Sequence, residues 1–183
     1  MSFPPFKFTT FCALTSLALA GCSHSPLSSS MAEHRTILHA VSAQGIGQPI
    51  GTVQFKDSAD GLVIMTQLSQ LPPGPHGLHI HEKGSCEPAE KDGKMGAARA
   101  AGGHFNPTYM QHHGTPLNGH LGDLPLLNVN SQGQAQVTLL APRLKLADIQ
   151  GLAIMVHAGS DNYSDQPKPL GGGGERIACG VIQ

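Results

Sequence analysis

The chain has 183 residues, with 11 Lys and Arg against 12 Asp and Glu and a formal charge of −1. That balance excludes the broad basic face a nucleic-acid binder needs, and the length suits one domain able to bury its own core. Aromatic residues are scarce and Trp is absent, while 23 Gly and 14 Pro favour short strands and turns over long helices.

Residues 1–21 read as a signal peptide of the lipoprotein type. Lys7 supplies a positive start, and the apolar run 11–20 is too short to cross a bilayer. The run ends in Leu19-Ala20-Gly21-Cys22, which resembles the lipobox of bacterial lipoproteins. On that resemblance Cys22 becomes the lipidated first residue of the mature chain, and Ser23 rather than Asp after it points to the outer membrane. The expected location is therefore the periplasm, with a lipid tether on Cys22; a plain secretory signal cut nearby is the alternative. Residues 22–34 are Ser-rich and aperiodic, as a flexible tether would be, which leaves 35–183 as the folded domain. Cys12 departs with the leader and Cys22 takes lipid, so Cys86 and Cys179 remain as one candidate disulfide in an oxidising compartment.

Within the domain, short segments alternate apolar and polar residues with period two. They predict strands over 36–43, 51–55, 62–68, 77–81, 126–129, 134–140, 151–157 and 177–181, separated by turn signals such as Ala59-Asp60-Gly61 and Pro72-Pro73-Gly74-Pro75. About eight short strands imply an all-β antiparallel sandwich or barrel. Only 144–150 has helical character. Two connections, 84–124 and 158–176, exceed the roughly 12–15 residues that a compact domain leaves unstructured without a functional reason. They carry His104, His113, His120, Asp123 and Arg176, and are read as functional loops.

The 11 histidines form a spaced series rather than a tract. His79 and His81 sit two apart on a predicted strand, so both imidazoles face one side and can grip one ion. His104, His113, His120, Asp123 and His157 follow, beside Gly, Asn or Pro rather than inside apolar runs. Four imidazoles suit Cu²⁺ in tetragonal geometry, and a nitrogen-rich set with one carboxylate suits tetrahedral Zn²⁺. Two four-coordinate sites need eight ligands, and this series offers seven groups. One imidazole could serve both ions through its two ring nitrogens, with His104 the natural candidate; two unrelated sites completed by water fit the count equally. His76 is expected in a turn and His112 in solvent beside a ligand, while Gly171 to Gly174 supply backbone freedom near the site.

Five segments resemble the copper/zinc superoxide dismutases in their bacterial periplasmic form. They are Gly77-Leu78-His79-Ile80-His81-Glu82, Gly102-Gly103-His104-Phe105-Asn106-Pro107, Gly119-His120-Leu121-Gly122-Asp123-Leu124, Met155-Val156-His157 and the run from Gly171 to Gly180. One local departure is Gly114-Thr115-Pro116, where the family usually has Gly directly before Pro. The resemblance implies an eight-stranded Greek-key β-sandwich or barrel. It makes His79, His81, His104 and His157 copper ligands, and His104, His113, His120 and Asp123 zinc ligands, with one ion of each per subunit. It makes Asp161 the carboxylate that hydrogen-bonds one copper and one zinc histidine, and Cys86–Cys179 the intrachain disulfide. It also implies that superoxide is dismuted to dioxygen and hydrogen peroxide, guarding the cell envelope. Arg176 would guide and dock the anion and His104 would carry the proton, in a monomer or homodimer. Two other readings of the same residues are a metal store without turnover and a zinc hydrolase using Glu82 as base; strand alternation turns Glu82 away from His79 and His81.

Overall fold

The structure, a computed structural model, describes Met1 and residues 34–183. The signal peptide, Cys22 and all but the last residue of the expected tether lie outside the described residues. Among the described residues eleven strands form: β1 (His34–Ser42), β2 (Gly45–Ser58), β3 (Gly61–Leu68), β4 (Gly74–His76), β5 (Leu78–His81), β6 (Ala89–Lys91), β7 (Lys94–Gly96), β8 (Leu127–Val129), β9 (Thr138–Ala141), β10 (Ala153–His157) and β11 (Arg176–Val181). One four-residue helix, Leu146–Ile149, lies inside the stretch predicted to be helical.

All pairings are antiparallel. The main sheet runs β5-β10-β11-β1-β2-β3-β9, and β4 pairs with β8. Since β4 and β5 are separated only by Gly77, the chain forms one curled sheet of eight strands from β8 round to β9. β1 lies between β2 and the last strand, β11, while β3 lies beside β9 rather than β4. Those crossovers are the Greek-key connections the expectation required.

The alternation that marks the strands also builds the core. Leu38, Val53, Phe55, Ile64, Ile80 and Ile154 turn inward and are fully buried, each contributing about 1.5–3 kcal/mol through removal from water. Strand β2 is longer than the predicted 51–55. Its first five residues alternate no apolar side chains, and the β1–β2 ladder shifts register on either side of His39. Likewise the 84–124 connection is not bare. It contains the β6–β7 hairpin around Asp92-Gly93 and a single 3-10 turn, Arg99–Ala101. A disulfide joins Cys86 to Cys179 across 93 positions. It pins this loop onto β11.

Candidate metal centre

Strand β5 explains where the centre sits. Leu78 and Ile80 enter the barrel core, so His79 and His81 stand on the outer face, and yet both are buried. The cover comes from the long loop, which zips onto β5 by backbone. Phe105 N donates to Ile80 O (2.8 Å), Ile80 N to Gly122 O (2.9 Å), and Glu82 N to Gly103 O (3.0 Å). Those bridges set His104 opposite His81 and Asp123 opposite His79. A Cβ on Gly122 would lie 2.4 Å from Ile80 O, so only glycine permits the approach.

His157 ends β10, where a register shift against β11 lies between Val156 and His157. Such irregularities re-aim a side chain at a sheet's edge. Beneath it lies His76, expected in a turn. It is instead a strand residue, 2% exposed, with Nδ1 2.8 Å from His157 O and Nε2 2.7 Å from Pro72 O. The correction has a plain cause: Pro72-Pro73-Gly74-Pro75 makes the turn, and β4 starts within it.

The ring nitrogens divide cleanly into held and free. His81 Nδ1 donates to Gly102 O (3.1 Å) and His157 Nδ1 to Gly174 O (3.2 Å). His79 Nε2 donates to Asp161 Oδ2 (2.7 Å) and His113 Nε2 to Asp161 Oδ1 (2.8 Å), so one carboxylate orients two rings. Tyr163 N also donates to Asp161 Oδ1. A Cβ on Gly171, whose φ is +70°, would overlap that carboxylate. What remains is a set of inward nitrogens. Nδ1 of His79 is buried with no hydrogen-bond partner, Nδ1 of His113 and of His120 lie 3.0 and 3.5 Å from the Asp123 carboxylate without hydrogen-bond geometry, and Nε2 of His81 and of His157 face each other at 3.4 Å. A buried polar atom without a partner costs about 1–3 kcal/mol. Several of them converging make a donor set that fits a metal ion.

Two donor sets result. The donor atoms of His79, His81, His104 and His157 lie within 4.8 Å of one another, as do those of His79, His104, His113 and Asp123. His79 falls in both because its ring stacks on His104 with centroids 3.9 Å apart. With Nε2 held by Asp161 it has a single nitrogen to give. His120, expected as a ligand, falls outside the second set, although its buried Nδ1 lies 3.5 Å from Asp123 Oδ1 and His104 Nδ1 lies 2.9 Å from that same oxygen. His104 stands between the sets. Of the adjacent pair, His113 is buried and His112 is in solvent near Asp165.

Electrostatics favour the metal-binding form at four of the histidines. Burial lowers the pKa of His81 well below its usual value, helped by the nearby Arg176 charge, and lowers that of His79 against the pull of Asp161. Burial, then His79, brings His157 to about 3; the same causes bring His104 to about 4 despite Asp123. Neutral imidazole is the ligating form. Burial works against charging His113 too, but the carboxylates of Asp123 and Asp161 outweigh it and raise its pKa to about 9. Both carboxylates stay well below the usual range, because hydrogen bonds from histidines and backbone N–H groups overcome their burial.

Arg176 is half-buried, with its guanidinium donating to the carbonyls of Ala98 and Gly102. Gly102 O is also the acceptor for His81, so the arginine and that ring share an anchor. Glu82 accepts from Gly103 N, on the loop and outside both donor sets. The sequence reading missed His76 and also Arg143, whose guanidinium binds the carbonyls of Pro116, Gly119 and His120. The signal for Arg143 was its place in Ala141-Pro142-Arg143-Leu144, between a strand end and a buried Leu.

The fold and its donors define a β-barrel metalloprotein with room for two adjacent ions under loops. Residues 49–182 match the family described as copper/zinc superoxide dismutase (SODC). The chain belongs to that family. It is 54% identical over 154 residues to the Superoxide dismutase [Cu-Zn] of Escherichia coli K12, covering 83% of this chain and 89% of the relative. The Cu/Zn superoxide dismutase from Brucella abortus superposes with a TM-score of 0.81 at 47% identity, over 82% of this chain and 99% of that one. The solution structure of the monomeric copper, zinc superoxide dismutase from Salmonella enterica gives 0.75 at 52%, over 83% and 100%.

Proposed function

We propose that His79, His81, His104 and His157 hold copper and that His104, His113, His120 and Asp123 hold zinc in this enzyme. It is a superoxide dismutase, converting two superoxide ions and two protons into dioxygen and hydrogen peroxide. The observation carrying the residue assignment is the convergence of buried ring nitrogens and the Asp123 carboxylate in two donor sets around His104. Copper held there would supply a one-electron couple between successive superoxide ions, and zinc, which is redox-inert, would order the loop.

The chain's own groups do the rest. Arg176, fixed by two carbonyls beside the His81 ring, docks the anion by charge and hydrogen bonding. With a net charge of −1 overall, the field that draws superoxide in is local to that corner; superoxide dismutase is itself a known example of such steering. His104 holds a proton on Nε2 between half-reactions and releases it to the departing peroxide. Asp161 keeps His79 and His113 in the tautomer that leaves Nδ1 free.

The test is superoxide decay in the presence of protein loaded with both metals, with and without cyanide. Fast, cyanide-sensitive decay is expected. A fully copper-loaded sample that leaves the spontaneous rate unchanged overturns the assignment.

Residues 1–34 extend the proposal to the envelope. The Leu19-Ala20-Gly21-Cys22 run supports lipid on Cys22 and retention at the outer membrane, and the disulfide is at home in the periplasm. Mass spectrometry of the mature chain is expected to show a diacylglyceryl Cys22 terminus, and an unmodified N-terminus would contradict it. The Salmonella enterica relative is monomeric, and we carry the same state to this chain.

A further inference from the structure

The turn 114–123 carries His120 and Asp123 and is gripped from two sides. From within, the Asp123 carboxylate accepts from Gly114 N (3.0 Å) and His120 N (2.8 Å). From without, Arg143 donates through Nε to Pro116 O (2.7 Å) and through Nη2 to Gly119 O (2.9 Å) and His120 O (2.8 Å). His120 O is also the acceptor for Asp123 N, so one carbonyl joins the arginine to both ligands. No carboxylate among the described residues pairs with Arg143. Its donors go to loop carbonyls.

The base from which Arg143 reaches is rigid. Ala141 ends β9 in register with Leu62 of β3, and both Ala141 and Leu144 are buried on either side of it. A planar fork with several N–H donors on a fixed base holds three carbonyls in a set geometry, which the compact ammonium of a lysine on its flexible stem does not reproduce. Every contact falls on 116–120, and none on the residues that carry His79, His81 or His157.

We infer that Arg143 is a positioning residue for the zinc half of the centre, fixing His120 and Asp123 to the barrel core before the ion binds. The inference rests on the zinc assignment above. Removing an outer partner of a metal ligand typically weakens metal binding roughly 10–100-fold, and the loss here is specific to one ion.

The test compares wild type, Arg143→Gln and Arg143→Lys as full-length, disulfide-bonded, metal-loaded proteins. Zinc and copper release to chromophoric chelators are timed separately, and Co²⁺ placed in the zinc position is followed by its visible bands. Expected are zinc release about 10–100-fold faster in Arg143→Gln, an intermediate rate in Arg143→Lys, altered Co²⁺ bands and unchanged copper release. The Lys variant keeps the test open if the Gln variant fails to fold. Leu144→Ala, which only thins the core, lowers the melting temperature without separating the two metals. Wild-type zinc release in both arginine variants overturns the inference, and so does copper release rising in step with zinc. A wild type that takes up copper but no zinc overturns the zinc assignment itself and the clamp with it.

Discussion

Arg176 acts on its neighbours before any substrate arrives. Its charge helps hold His81 and His157 neutral, and two carbonyls fix its guanidinium beside them. Replacing it with Gln is expected to lower the rate constant for superoxide decay by about tenfold or more and to flatten its ionic-strength dependence. Metal content should stay unchanged, and decay measured across a salt series checks all of this; an unaltered rate and slope would contradict the docking role. The proposed ligands stand out in the sequence by their placement. His79 and His81 interrupt an apolar strand, and His104, His113, His120 and Asp123 crowd one loop. His76 was not readable. Its neighbours are Pro75 and Gly77, and its burial depends on His157, which lies 81 positions away and is in contact only after folding.

The loop from residue 84 to 124 does two jobs, roofing β5 and delivering four of the proposed ligands. Cys86 packs with Ala98, Ala101, Ala153, Met155 and Cys179, so the bond to β11 lies under the arm of the loop that leads to His104. Cys86→Ser removes a constraint worth up to about 4–5 kcal/mol in the chain-entropy picture. The metal-free variant should melt well below wild type and retain less copper and zinc after dialysis. Equal melting temperature and equal metal content would argue that backbone zipping alone holds the loop. Strand existence followed from period-two patterning, whereas extents did not. The first half of β2 buries only Ile50, and its partner strand bulges at His39, so no alternation marks it. The β6–β7 hairpin carried a signal that went unused, since Asp92-Gly93 is a strong two-residue turn and both residues have positive φ.

Across the whole molecule, one curled sheet supplies three of the seven proposed ligands and one long loop supplies the other four. His79 and His81 come from β5 and His157 from β10, while the remainder arrive with the 84–124 connection and Asp161 with the second loop. Topology was legible only through family resemblance, because pairing of β1 with β11, or of β3 with β9, leaves no trace in local pattern. Two ions sharing His104 is the claim from which proton transfer, loop order and the Arg143 clamp all follow. Anomalous diffraction from crystals of the copper- and zinc-loaded protein, collected at both absorption edges, addresses it directly. The account predicts one copper peak among His79, His81, His104 and His157, and one zinc peak among His104, His113, His120 and Asp123, with the His104 ring between them. A single peak, or two peaks without that ring between them, would contradict it.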